Sequence, residues 1–142
     1  MGYYVEQTDS QFFVAADAIP SLIETVHKLG EKKDSLSVHG AFVLENNKYS
    51  WVREDYVTSN DVVDVFRYWR WDIDLDKHGN IVDIRFAGEK LGDDEVFFKA
   101  IAPFVKNDSF IEMLGEDNAM WRWKFSNGDL REIYPEVIWS DS

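Results

Sequence analysis

The stretch WRWDIDLDKHGNIV, Trp69 to Val82, places two tryptophans, alternate aspartates and a glycine within fourteen residues. Three readings compete for it: a β-hairpin, an acidic binding surface and a calcium loop. An EF-hand frame started at Asp74 puts acids at positions one and three (Asp74, Asp76) and Gly79 at six. Position five is then His78, and position twelve is Arg85, where a bidentate glutamate should stand. A cation there opposes a metal ion. Trp69, Trp71, Ile73 and Leu75 alternate with Arg70, Asp72 and Asp74, which is the period of a strand. The stretch therefore reads first as a hairpin turning over Asp76 to Asn80, and last as a calcium loop.

If that strand forms, its aromatic and aliphatic side chains share one face, and Asp72, Asp74 and Asp76 share the other. Side chains two apart on a strand stand about 6.5–7 Å apart, close to the spacing of successive phosphates. Such a row can imitate a nucleic-acid backbone or simply form the solvated face of a sheet.

Working outward, DAIPSLIETVHKLG places Ile19, Leu22, Ile23, Val26 and Leu29 at helical spacing. Asp17 is the expected cap and Gly30 the expected end. Upstream, Gly2 to Gln7 and Gln11 to Ala16 predict two short strands turning at Thr8 to Ser10. Glu31 to Gly40 reads as a loop. AFVLENNKYSWV reads as a hairpin around Asn46-Asn47, with Tyr49 and Trp51 on the return strand. Thr58 to Asn60 are capping residues for a second helix with Val62, Val65, Phe66 and Trp69 on one face.

Downstream, DDEVFFKAIAPFV predicts a third helix with acids in its first turn and Phe97, Ala100, Ile101 and Phe104 toward the core. SFIEML, MWRWKF and LREIYPEVIW predict closing strands. Their turns fall at Gly115 to Asn118 and at Asn127-Gly128, a strong hairpin dipeptide. In MWRWKF, Trp121, Trp123 and Phe125 share a face, with Met120, Arg122 and Lys124 on the other. YWRW (68–71) echoes MWRW (120–123), a match read as chance. The pattern amounts to one α+β domain over residues 1–142, a mostly antiparallel sheet built from hairpins with about three helices packed on it.

Composition limits function. The 142 residues are 45% hydrophobic and 15% aromatic, enough for a sizeable core. Twenty-seven Asp and Glu against 15 Lys and Arg give a net charge of −12. This opposes direct nucleic-acid binding and anionic membranes, and favours a protein partner with a basic surface. Cysteine is absent, which excludes disulfides and thiolate chemistry. The N-terminus lacks a signal-peptide pattern and no apolar run reaches membrane length, so the expected location is cytoplasmic. His27, His39 and His78 have no ligand spacing, and no nucleophile elbow, P-loop or dinucleotide fingerprint occurs. The sequence implies no cofactor and no metal site.

MGYYVEQTDSQFFV, WRWDIDLDKHGNIVDIRFAGEKLGDD and FFKAIAPFVKNDSFIEMLGEDNAMWRWKF resemble small uncharacterised proteins of bacteriophages, prophages and their bacterial hosts. The resemblance implies an accessory protein that binds another protein, and it assigns no residue. The expected function is a non-enzymatic acidic binding module, one that inhibits a host nucleic-acid-binding or defence protein such as CRISPR or restriction machinery. Its candidate contacts are Asp72, Asp74 and Asp76, then Glu116 and Asp117, with Trp139 as the expected exposed aromatic anchor. The alternatives are a self-associating structural component and a divalent-metal enzyme using carboxylates at Asp74 and Asp76.

Overall fold

A computed structural model describes residues 3–36 and 60–140. The hairpin expected around Asn46-Asn47, together with His39, lies outside the described residues. Among the described residues, six strands form two antiparallel sheets, with three helices. The four-stranded sheet has the order β1 (Val5–Gln11), β4 (Phe110–Gly115), β5 (Met120–Ser126), β6 (Asp129–Ile133). The two-stranded sheet pairs β2 (Trp71–Leu75) with β3 (Ile81–Phe86). The helices are α1 (Ile19–Leu36), α2 (Val62–Tyr68) and α3 (Asp94–Ile101).

The opening stretch is a hairpin. Trp71 pairs with Phe86 and Ile73 with Ile84, and the turn closes by hydrogen bonds from Asp76 N to Asn80 O and from Gly79 N to Asp76 O. Gly79 adopts φ +85°, a conformation that costs a glycine little. Trp69 lies outside the strand. It ends α2, Arg70 follows at φ +74°, and the chain turns so that both Trp69 and Trp71 are buried.

Several boundaries differ from the sequence reading. The predicted turn at Thr8 to Ser10 lies inside one strand, because Thr8 bulges out of the pairing with β4, and the strand expected over Gln11 to Ala16 is reduced to an isolated bridge at Val14. The Thr8 hydroxyl donates to Glu112 Oε2 at 2.8 Å, which holds the bulge against the neighbouring strand. Helix α1 continues through Gly30 to Leu36, where a loop was expected. An interior glycine costs about 1 kcal/mol, and the Glu-Lys-Lys that follows favours helix. Asp61 caps α2, its carboxylate accepting from Val63 N at 2.9 Å, whereas capping was expected at Thr58 to Asn60. Asp17 lies in a short 3-10 turn before α1 and makes no capping bond there. In α3 it is Phe98, beside Phe97 and Ile101, that is buried; Ala100 is half-buried.

The inner face of β5 is Trp121, Trp123 and Phe125, as its alternation predicts. The Asn127-Gly128 turn has φ +53° and +81°, the pair of left-handed residues that a tight two-residue hairpin requires. The aromatic core is continuous: Trp71 contacts Phe98 and Trp123, and Phe98 contacts Phe125.

Side chains of β1 join the two sheets, and one carboxylate ties α3 to the smaller sheet. Gln7 on β1 donates from Nε2 to Ile84 O at 2.8 Å and accepts from Phe86 N at 2.6 Å. One amide thus satisfies a donor and an acceptor on the edge of β3. Asp94, 1% exposed, accepts from Trp71 Nε1 at 2.9 Å and from Gly92 N at 3.0 Å. Arg70 Nη2 lies 3.6 Å from the same carboxylate and donates to Lys90 O at 2.6 Å. Burial pushes the Asp94 carboxyl above its ordinary value despite these partners.

Candidate binding surfaces

The outer face of the β2–β3 hairpin carries Asp72 and Asp74, with Arg85 opposite Asp72 and Asp83 opposite Asp74. Two carboxylates directly across a strand pair repel. Two neighbours relieve them: Asp74 forms an ion pair with Arg85, and Asp83 accepts from the Ser10 hydroxyl at 3.0 Å. Asp72 pairs with Arg67 Nε at 3.2 Å. The acidic row therefore has two arginines set into it. Arg85 is the same residue that spoils the calcium-loop frame. Its guanidinium is held further toward the charged form, chiefly by the bond to Asp74.

Asp76 does not extend the row. Its carboxylate folds into the turn, accepting from His78 N, Asn80 N and Asn80 Nδ2, each at 2.9 Å. These bonds, led by that from the Asn80 side chain, hold it below the usual carboxylate range. Asp83 takes the third acidic place on the face. Sequence reading missed it, because its position depends on the hairpin register and on the bulge that shifts Leu75 to pair with Ile81. Among the described residues, no group of three or more His, Asp or Glu is placed to hold a metal ion.

Glu116 and Asp117 occupy the β4–β5 turn, on the other sheet. Glu116 Oε1 accepts from Tyr4 N at 3.0 Å. Asp117 accepts from the Tyr3 hydroxyl and from Ala119 N at 3.1 Å. The bond to Asp117 raises the Tyr3 phenol to about 12 and draws the Asp117 carboxyl down. Both acids thus tie the residues before β1 to the turn.

Among the described residues, the most exposed large apolar side chains follow β6. Tyr134 is 67% exposed, Val137 78%, Ile138 83% and Trp139 89%. Four large side chains within six residues, all open to solvent, contrast with the enclosed tryptophans of β5. Exposed apolar groups clustered in this way mark interaction surfaces more often than scattered ones do. The segment borders a concavity of about 200 Å³ at β5 and β6, lined by Glu112, Met120, Trp121, Arg122, Ile133, Tyr134 and Pro135. Arg122 is held there by Glu112 at 2.8 Å and stacks over Phe110 at 4.5 Å. The same Arg122 and Thr8 bonds hold the Glu112 carboxyl below its ordinary value.

Trp121 and Trp123 carry buried indole N–H groups with no acceptor among the described residues. A buried donor left unpaired costs about 1–3 kcal/mol. Among the described residues, no helix is long and apolar enough to cross a membrane. No protein-family model matches the chain, and no curated protein or solved structure does either.

Proposed function

We propose that the chain is a non-enzymatic binding module for a protein with a basic surface. The observation that carries the reading is the exposed run from Tyr134 to Trp139 on a chain of net charge −12. Aromatic anchors supply binding energy at interfaces, and complementary charge supplies rate and selectivity. The acidic hairpin face of Asp72, Asp74 and Asp83 is the second contact, with Glu116 and Asp117 as a peripheral one. A basic partner would compete with Arg67 and Arg85 for the hairpin carboxylates. The resemblance to phage and prophage proteins favours a host nucleic-acid-binding or defence protein as the target, inhibited by occupation of its basic surface.

Affinity capture from bacterial lysate at low and high salt tests this. The expected result is a stoichiometric, basic partner that salt releases, because screening at about 1 M shortens the Debye length to roughly 3 Å. Trp139→Ala should abolish capture, and charge reversal at Asp72 and Asp74 should weaken it. Capture unchanged in both variants would refute the reading.

A further inference from the structure

A second concavity, of about 170 Å³, opens on the inner-face side of β5 and β6 beside α3. Its aromatic walls are Tyr3, Trp121, Trp123 and Tyr134, and its acidic ones Glu95 and Glu132. Among the described residues, no basic side chain lines it. The register explains the arrangement. Glu132 lies opposite Trp123, so an acidic side chain from the edge strand stands beside an inward-facing tryptophan. The rings form a corner: Trp121 and Trp123 meet at 75° with centroids 5.8 Å apart, and Tyr3 stacks along Trp121 at 6.4 Å.

We propose that this pocket binds an alkylated ammonium group, the cation of choline-type small molecules and of methylated lysine. Ring faces attract a cation through their quadrupole, and quaternary ammonium recognition by groups of aromatic rings is the best-known use of that force. Both phenols point the same way electrically. The Tyr134 hydroxyl donates to Glu132 and the Tyr3 hydroxyl to Asp117, so each phenol donates its proton to a carboxylate and its ring stays rich in electrons. Glu132 and Glu95 line the pocket together with Tyr134, and the bond to Glu132 raises the Tyr134 phenol.

Lys90, beside the pocket residue Leu91, lies over the Tyr4 ring at 5.1 Å. The volume lies below the roughly 300 Å³ at which pockets for whole drug-sized ligands begin, so a head group fits and a larger metabolite does not.

The pocket does not depend on the proposed basic partner, and small ammonium probes test it without one. Calorimetric titration of the full chain with tetramethylammonium, choline, a trimethyllysine peptide and 3,3-dimethylbutan-1-ol, the neutral isostere of choline, separates charge from shape. Choline should bind saturably and the neutral isostere about tenfold more weakly or worse. Tyr134→Ala, at an exposed position, should weaken choline about 5- to 30-fold. Glu95→Gln with Glu132→Gln should weaken choline while leaving the isostere unchanged. A peptide that binds at least about tenfold tighter than choline assigns the cation to a protein side chain, and equal binding assigns it to a small molecule. Binding of the isostere as tightly as choline, or no saturable binding by any of the four probes, overturns the proposal.

Discussion

YWRW at 68–71 and MWRW at 120–123 share three of four letters and do opposite things with the arginine. In the second, Trp121 and Trp123 lie in the continuous strand β5, so Arg122 points outward to Glu112 and the Phe110 ring. In the first, the tryptophans straddle a left-handed residue at the end of a helix. Arg70 turns inward to the buried Asp94 carboxylate and the Lys90 carbonyl. All four tryptophans are buried. The difference lies in what precedes each motif. A capped helix that must stop delivers Arg70 to the interior, and a hairpin strand delivers Arg122 to solvent.

Removing each arginine tests this contrast most directly. Arg70→Ala leaves Asp94 buried beside only two N–H donors and should cost about 3–5 kcal/mol, read from urea unfolding. Arg122→Ala breaks a pair whose arginine is 45% exposed and should cost under about 1 kcal/mol. Equal costs would mean that the two arginines do the same work, and the contrast would fail.

Gln7→Ala removes both bonds to the β3 edge and should cost about 1–3 kcal/mol. A smaller effect would show that packing and the Ser10–Asp83 bond hold the sheets together without Gln7.

Acidity sharpens the comparison further. Asp94 has its folded value raised by burial, so the folded protein holds that proton more tightly than the unfolded chain. Stability linked to this group is fullest below the ordinary 3.8 and declines as pH rises toward the raised folded value. Glu112, lowered by Arg122 and Thr8, contributes with the opposite sign. Its share is present above its ordinary value and lost as pH falls through the lowered one. Asp94→Asn should abolish the first slope and Arg122→Ala should flatten the second, both measured by unfolding across the acid range.

The smallest expected effect on stability belongs to Trp139→Ala, within about 0.5 kcal/mol, since the side chain is 89% exposed. A larger loss would place Trp139 against the fold and remove it from the proposed binding surface.

Local elements were legible in the sequence. Period-two alternation gave β2 and β5, Asn127-Gly128 gave the β5–β6 turn, and the face of Val62, Val65 and Phe66 gave α2. Trp139 was expected to be exposed, and it is. Relations between distant segments were not legible. The β1–β4 pairing joins residues about a hundred positions apart, and it alone turns Thr8 from a loop tip into a bulge. Asp94 read as a first-turn acid favoured by the helix dipole, yet it is buried against Trp71 and Arg70, more than twenty residues earlier in the chain. Asp76 resembled the third member of an acidic row until its own turn claimed both oxygens, and Asp83 stands in its place.

The bridge made by Gln7 has a consequence for the timing of motion. The amide proton of Phe86 is held by a side chain where a sheet would normally offer a backbone carbonyl. Rotation of that one side chain exposes the proton to solvent without parting any strand from its partner. Hydrogen exchange at Phe86 therefore follows a local rotamer clock, while Trp123, paired on both sides within the sheet, exchanges only when strands separate.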